Sequence, residues 1–330
     1  MKKTLSIATL LVFCATAFAE TTVYDQGNID QDSYYSMSLL NKDATYTFGS
    51  IKSPGVSINA VRKNSTCNIE IGSIEADGAD VYIGTYIGDV TIGDVKADHF
   101  QASTQNGNIK LTGNIDANPE SSNVTVGLQD AESSGSIILE GATLSGLALS
   151  VQYNALDGIE PTGHILISGN TKLSDVYFNS GSVTVEEGAQ VTLENVTFKS
   201  RGAVENGEDV STGLVLEDNA TLTISGNQAL EVSTLSVGSG VSFVVELSDE
   251  VFENLDHSEI NLFNVSSGDD IDLSGVQFTF TNGEEMKTGT ITTGGGGTIT
   301  VTNSYLVPEP TTATLSLLAL AGLTMRRRRK

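Results

Sequence analysis

Short segments of alternating apolar and polar residues, bounded by Gly or Asn, recur along the chain and constrain its fold more than any other feature. Three clear copies, at 107–113, 135–141 and 163–169, start 28 residues apart. Further copies lie at 181–188, 220–226 and 297–303. A period of two is that of a β-strand with one face inward, and the frequent turns exclude long helices. The chain is therefore expected to be all-β.

Two all-β architectures fit this pattern, a set of β-sandwich domains or a β-solenoid of stacked coils. The repeat favours the solenoid, because stacked coils bury a continuous apolar core without disulfides and place Gly and Asn at their corners. We therefore expect a right-handed parallel β-helix. Its inward residues should include Ile109, Leu111, Ile137, Leu139, Ile165 and Ile167.

The same pattern predicts how the chain is organised. Residues 65–303 hold the repeats and are predicted to form the solenoid. Residues 20–64 are less repetitive and richer in aromatic residues, so we interpret them as an N-terminal cap with a first strand or two, which covers the open end of the sheet. The stretch 201–212 is predicted to be an exposed loop. Two further segments, 1–19 and 304–330, lie outside this body.

The N-terminus has the three parts of a secretory signal peptide. Lys2 and Lys3 are followed by an apolar stretch and then by the small residues Ala17 and Ala19 before Glu20. This order of a basic, an apolar and a small-residue region predicts cleavage after Ala19. The mature chain would then start at Glu20 outside the cytoplasm.

The C-terminus predicts a membrane anchor. Pro308, Glu309 and Pro310 favour an extended backbone. The uncharged stretch 311–325 would form a helix of about 22 Å, which is short for a hydrocarbon core of about 30 Å. A cluster of cations then suits the cytoplasmic face of a membrane, and we predict a single transmembrane helix that stops there. The cluster consists of Arg326, Arg327, Arg328, Arg329 and Lys330. A disordered basic tail after an apolar plug is the alternative.

This tail resembles the PEP-CTERM protein-sorting signal of Gram-negative bacteria. The resemblance rests on Pro308-Glu309-Pro310, the Leu/Ala-rich stretch and the terminal Arg cluster, in that order, and covers about 24 of 330 residues. It implies an exosortase-type membrane protease as a partner, transient anchoring in the inner membrane, and sorting to the cell envelope, the surface or the extracellular matrix. The repeats are more loosely similar to the β-helical passengers of autotransporter adhesins, although the chain lacks their C-terminal run of barrel strands.

Composition excludes one class of partner. The whole chain has a formal net charge of −24, and seven of its seventeen cations lie in the two terminal segments, so the exported region is close to −30. Such acidity opposes binding to nucleic acid. Cys67 is the one cysteine left after the predicted signal peptide, so it can form no internal disulfide. We interpret it as a small buried residue, with intermolecular crosslinking as the alternative.

The histidines and one aspartate cluster are the candidate metal ligands of the chain. His99, His164 and His257 are far apart and have no metal-ligand spacing. Asp269, Asp270 and Asp272 after Gly268 partly match a calcium-binding nonapeptide, but Asp272 replaces its required apolar residue. Calcium is thus the one candidate ion, and no cofactor is predicted.

Some β-helical proteins degrade polysaccharides, so a catalytic role is one of the two functions compatible with the expected fold. The many acidic residues supply carboxylate pairs by chance, while bases are scarce and tryptophan is missing. We therefore expect a non-catalytic structural or adhesive protein that contacts extracellular polysaccharide or host and cell-surface glycans. The alternative is a polysaccharide-active enzyme, either a lyase or a glycoside hydrolase.

Overall fold

A computed structural model describes residues 22–303 except 42, 119, 128–134, 152–163, 206–207, 226–228, 256–259, 267–270, 272, 274–275 and 294–297. The chain is all-β, with 65% strand and 3% helix, which confirms the predicted class. Within the described residues no helix is long and apolar enough to cross a membrane. The predicted signal peptide and transmembrane segment lie outside those residues.

The described residues form twenty-nine strands and one short helix. The first seven strands are β1 Thr22–Asp25, β2 Ile29–Asp30, β3 Tyr35–Leu39, β4 Ala44–Lys52, β5 Val56–Ala60, β6 Cys67–Ile87 and β7 Val90–Asn106. The next eleven are β8 Ile109–Leu111, β9 Asn114–Asp116, β10 Asn123–Val126, β11 Ile137–Glu140, β12 Thr143–Ser145, β13 Ala148–Val151, β14 His164–Ser168, β15 Asn170–Ser174, β16 Tyr177–Ser180, β17 Ser182–Val185 and β18 Gln190–Glu194. The remainder are β19 Lys199–Glu205, β20 Glu208–Ser211, β21 Leu214–Leu216, β22 Thr221–Ser225, β23 Leu230–Val232, β24 Leu235–Val237, β25 Ser242–Glu246, α1 Asp249–Glu253, β26 Ile260–Val265, β27 Gln277–Thr281, β28 Met286–Thr293 and β29 Thr298–Asn303.

Most of these strands pair in parallel, and they form three ladders. Ladder A contains β1, parts of β4, β6 and β7, then β8, β11, β14, β17, β21 and β24. Ladder B contains β2, the next parts of β4, β6 and β7, then β9, β12, β15, β18, β22, β25 and β27. Ladder C contains β3, β5, the last parts of β6 and β7, then β10, β13 and β16. The chain thus visits A, B and C in turn, which is compatible with a β-helix.

The register explains the repeat seen in the sequence. Ile109 pairs with Ile137, and Ile137 pairs with Ile165, so a spacing of 28 residues is one circuit through the ladders. The six residues predicted to face inward are all at most 1% exposed, which confirms that prediction. The later step from Ile165 to Val183 is shorter than 28 residues and the step from Val183 to Leu214 is longer, because the connections between strands differ in length.

Glycines stack at one corner of this path, just before ladder A. Gly88, Gly107 and Gly135 have φ of 133°, 142° and 158°, a region that L-residues avoid. A Cβ on Gly107 would lie 2.2 Å from the carbonyl oxygen of Gly88, and one on Gly135 would lie 1.9 Å from that of Gly107. Successive corners are therefore in backbone contact. This is why two of the repeated segments open with glycine.

The two ends of the described region differ from the sequence prediction. Residues 22–60, interpreted as a cap, already contribute strands to all three ladders, and β4 pairs with β6 across the proposed boundary at residue 64. At the other end β26 and β27 pair in parallel with earlier strands but antiparallel with β29 and β28, and β28 and β29 pair antiparallel with each other. Parallel pairing therefore does not continue to residue 303. Sequence alternation predicts a strand but carries no information on the direction of its partner.

The predicted loop at 201–212 is also different in the structure, because β19 and β20 form an antiparallel pair there. The dipeptide Asn206-Gly207 separates these strands in the sequence. Asn-Gly is the preferred dipeptide of two-residue hairpin turns, so a hairpin could have been predicted.

The core runs along the inside of the ladders and changes in character along the chain. It is mostly Ile, Val and Leu up to β14, with Tyr46, Phe48 and Phe100 among them. Ring pairs recur after β14, with Phe178 and Phe198 centred 4.8 Å apart and Phe243 and Phe278 also 4.8 Å apart. Cys67 lies in this core at 2% exposure, and burial raises the pKa of its thiol to about 11. The interpretation of Cys67 as a buried residue is thereby confirmed.

Candidate functional site

The outer surface of ladder C carries two rows of uncharged residues across β3, β5, β6, β7 and β10. All ten side-chain positions are exposed or half-buried, and neighbours in each row pair directly in the strand register. We call this set the ladder C face; it consists of Ser36, Ser57, Tyr82, Gln101 and Asn123 in one row and Ser38, Asn59, Gly84, Ser103 and Thr125 in the other. At about 4.8 Å per strand the five strands span about 19 Å.

The equivalent outer row of ladder B is different, although it lies on the same early coils. It reads Asp30, Lys52, Glu75, Lys96 and Asp116 in register order. Charges alternate along it, and the Lys52 Nζ lies 3.3 Å from the Glu75 carboxylate. Charged residues are therefore compatible with outer rows of this fold. The uncharged Ser, Asn, Gln and Thr residues of ladder C are therefore not required by the fold and distinguish that face.

A third polar row, at the start of ladder A, is used by the fold itself. The backbone N–H of Asp89 donates to Asn68 Oδ1 at 3.0 Å, and that of Asn108 donates to Asp89 Oδ1 at 2.7 Å. Ser136 continues the row by donating its N–H to Asn108 Oδ1 at 2.9 Å. These side chains satisfy backbone donors of the next coil, so they are structural. His164 continues this row; it is exposed and hydrogen-bonded to the Ser182 hydroxyl.

A cluster of four side chains lies at the edge of the ladder C face, and we call it the Tyr–His cluster: Tyr34, Asp80, Tyr82 and His99. Asp80 on β6 pairs in register with His99 on β7, and His99 Nδ1 is 2.6 Å from Asp80 Oδ1. The Tyr82 hydroxyl donates to Asp80 Oδ2 at 3.2 Å. The charge of Asp80 is the main reason why the pKa of Tyr82 is raised.

The two tyrosine rings of this cluster are open to solvent. Tyr34 is 52% exposed and Tyr82 is 37% exposed, values that are high for aromatic residues of a folded chain. The ring of Tyr34 lies over Gly55, since a Cβ there would be 2.6 Å from the Tyr34 Cδ2 atom. Gly55 thus leaves room for the ring to lie against the sheet. The cluster combines two aromatic surfaces with a hydrogen-bonded carboxylate and imidazole.

A separate cavity lies near the later coils, with a volume of about 680 Å³. Its lining includes Asp175, Tyr177 and Glu231, which come from positions close to β15, β16 and β23. Asp175 holds a positive φ of 54°. Two carboxylates in one cavity are the residue type that glycoside hydrolases use.

The sites predicted from the sequence are only partly covered by the described residues. The processing motif Pro308, Glu309 and Pro310, the cation cluster at 326–330, and the cleavage residues Ala17, Ala19 and Glu20 lie outside them. So do the three aspartates of the calcium candidate and His257. Among the described residues no three His, Cys, Asp or Glu side chains come together as a metal site.

The Tyr–His cluster has no recognisable signature in the sequence. Asp80 and His99 are 19 residues apart, and this spacing becomes informative only when the length of that coil is known. Tyr34 lies over Gly55 because the next residues, Tyr35 and Val56, pair in register. Comparisons with protein-family models, curated proteins and solved structures found no match to this chain.

Proposed function

We propose that this chain is an exported, non-catalytic surface or extracellular-matrix protein with a structural or adhesive role, built as a right-handed parallel β-helix. The observation that supports the adhesive role is the uncharged ladder C face on a chain whose net charge is −24. Five adjacent strands present uncharged residues at ten consecutive outer positions there. On the same early coils, the outer row of ladder B carries charges.

Contact with a charged row costs more free energy than contact with an uncharged one. A surface that approaches a charged row must desolvate its ions, whereas hydroxyl and amide groups can exchange water for a ligand at little net cost. Asn59, for example, is exposed; its Nδ2 donates to Ser57 Oγ at 2.8 Å, and its Oδ1 lies over Gly84 of the neighbouring strand. A rigid sheet repeats such groups at fixed spacing, which suits a polymeric partner. Extracellular polysaccharide and cell-surface glycans are partners of this kind.

Delivery to the surface is proposed from the sequence of the two ends. The signal peptide 1–19 would start export, and the helix 311–325 with its terminal cations would hold the chain in the inner membrane. Pro308-Glu309-Pro310 would then stand just outside the membrane, where an exosortase-type protease could cut. The exported region would pass to the envelope, the surface or the matrix.

Sorting is tested by changing Pro308 and Glu309 to Ala together. We expect export to continue and processing to stop, so that the chain lacking only residues 1–19 accumulates in the inner membrane. Cell fractionation with intact-mass analysis measures this. The matched control changes Glu160 and Pro161, another Glu-Pro dipeptide of the chain, and should be processed normally. Normal processing of the first variant would contradict the proposal.

The alternative function, a polysaccharide-active enzyme, is favoured by the cavity that contains Asp175 and Glu231. It is tested by incubating the purified full chain with neutral and acidic polysaccharides and measuring new reducing ends and unsaturated products. Product formation that disappears in Asp175→Asn or Glu231→Gln would establish an enzyme and overturn the non-catalytic proposal. We expect no products.

A further inference from the structure

We propose that the Tyr–His cluster is a binding subsite for a neutral polysaccharide chain. This inference rests on the proposed contact role of the ladder C face and assigns to it one site and one class of ligand. The cluster lies at the edge of that face, because Tyr82 belongs to its first row and Asp80 lies two residues earlier on the same strand. A polymer bound to the cluster could continue across the rows beside it.

The geometry provides the two kinds of contact that a sugar ring requires. An exposed aromatic ring offers an apolar surface to the C–H groups of a pyranose, and its hydroxyl stays wet. Tyr34, lying over Gly55, and Tyr82 supply two such rings. The backbones of Tyr34 and Tyr82 are two strands apart, and the Tyr34 ring reaches over Gly55, next to the strand between them. Adjacent sugar units of a chain could therefore be in contact with separate rings.

Polar groups beside the rings are held in place by one another. Asp80 is hydrogen-bonded to both His99 and Tyr82, at 2.6 and 3.2 Å respectively. The side chains of His99 and Asp80 are 46% and 44% exposed, so both can be reached from solvent. A carboxylate and an imidazole fixed in this way can accept and donate hydrogen bonds to sugar hydroxyls without losing much side-chain entropy on binding. The arrangement is thus partly preorganised.

The charges indicate which polysaccharides are suitable. Asp80 contributes a negative charge to the cluster, and the surrounding chain is strongly acidic, so a polyanion such as polygalacturonate would be repelled. The ten residues of the ladder C face carry no formal charge, so none of them needs a ligand of opposite charge. A neutral chain therefore has a lower electrostatic cost of approach than an anionic one.

Binding is measured by electrophoresis of the full chain in mild detergent through gels that contain a neutral polymer. Three neutral probes, a linear β-glucan, a galactomannan and dextran, are compared with polygalacturonate. We expect retardation by at least one neutral polymer and none by polygalacturonate. The double change Tyr34→Ala with Tyr82→Ala should raise the apparent Kd at least tenfold.

Two control variants separate stacking from general damage. Tyr34→Phe with Tyr82→Phe keeps both rings and should stay within about threefold of the wild type, since the apolar ring surface is retained. Tyr86→Ala removes an aromatic residue that lies beneath Lys63, and it should bind normally. Circular dichroism confirms that each variant retains its β-structure.

Several results would overturn the subsite. These are no retardation by any of the three neutral polymers, equal binding by the double alanine variant, equal loss in Tyr86→Ala, or stronger retardation by polygalacturonate. Loss of cell attachment in the double alanine variant without any loss of neutral-polymer binding would assign the cluster to a protein partner and also overturn it. If attachment depends on Ser103 and Thr125 but not on the tyrosines, the subsite fails while the contact role of the face stands.

Discussion

On the same strands, the residue type is constant from coil to coil in the inner row and variable in the outer row. Ile109, Ile137 and Ile165 stack inside ladder A with exposures of 0%, and their side-chain type does not change over three coils. One residue further along the strands, the outer row changes from Lys110 to Ile138 on the next coil. The inner row is constrained by packing at close contact, whereas the outer row has no such constraint.

This difference indicates where function can be encoded. A substitution in an inner row alters packing against the coils above and below it, so the residues at those positions are determined by the fold. Outer rows can differ from face to face without altering the core, as the charged row of ladder B and the uncharged rows of ladder C show. The sustained absence of charge from the ladder C face is therefore the feature that we connect with contact.

The largest expected effect comes from placing the same charge on either side of one strand. Ile137→Asp buries an unpaired carboxylate in the core and should destabilise the protein by several kcal/mol or prevent folding of that coil. Ile138→Asp places the charge on the half-buried outer side and should cost at most about 1 kcal/mol. Urea denaturation followed by circular dichroism measures both. Similar losses in the two variants would contradict the inner and outer assignment.

A smaller effect is expected at the glycine corner. Gly107→Ala combines a φ of 142° with a Cβ that meets the Gly88 carbonyl at 2.2 Å, so the backbone must shift. We expect a loss of about 2–4 kcal/mol from strain and overpacking together. Gly188→Ala, with a φ of 69° and no atom within 4 Å of its Cβ, should lose only about 1–2 kcal/mol. Equal urea midpoints for the two variants would refute the stacked-corner account.

The sequence was sufficient for the parts of the fold that depend on local alternation. The strands around Ile109, Ile137 and Ile165 and their inward sides could be predicted, because their repeat has a constant spacing. Coils of other lengths could not be aligned in advance, since an inserted connection leaves the alternation unchanged. The Tyr–His cluster was missed for this reason, because its members come together only through register between coils of different length.

The smallest predicted effect concerns an inner residue that can titrate. Burial raises the pKa of Cys67 to about 11, whereas the thiol of the unfolded chain loses its proton at a lower pH. The unfolded state then binds fewer protons above about pH 9, so stability should fall by about 1–3 kcal/mol as the pH rises to about 11. Cys67→Ala should remove this part of the pH dependence. An unchanged slope in urea titrations of the variant would show that the thiol is not responsible.

The contact role of the ladder C face is tested most directly by moving the same charges between two faces. Ser103→Glu with Thr125→Glu alters adjacent strands of ladder C, and Thr192→Glu with Thr223→Glu alters adjacent strands of ladder B at half-buried outer positions. Attachment of cells that display each variant to a surface coated with neutral polysaccharide is then counted at equal display levels. We predict that the ladder C variant loses most of its attachment while the ladder B variant retains it. Equal attachment by the two variants would contradict the central claim.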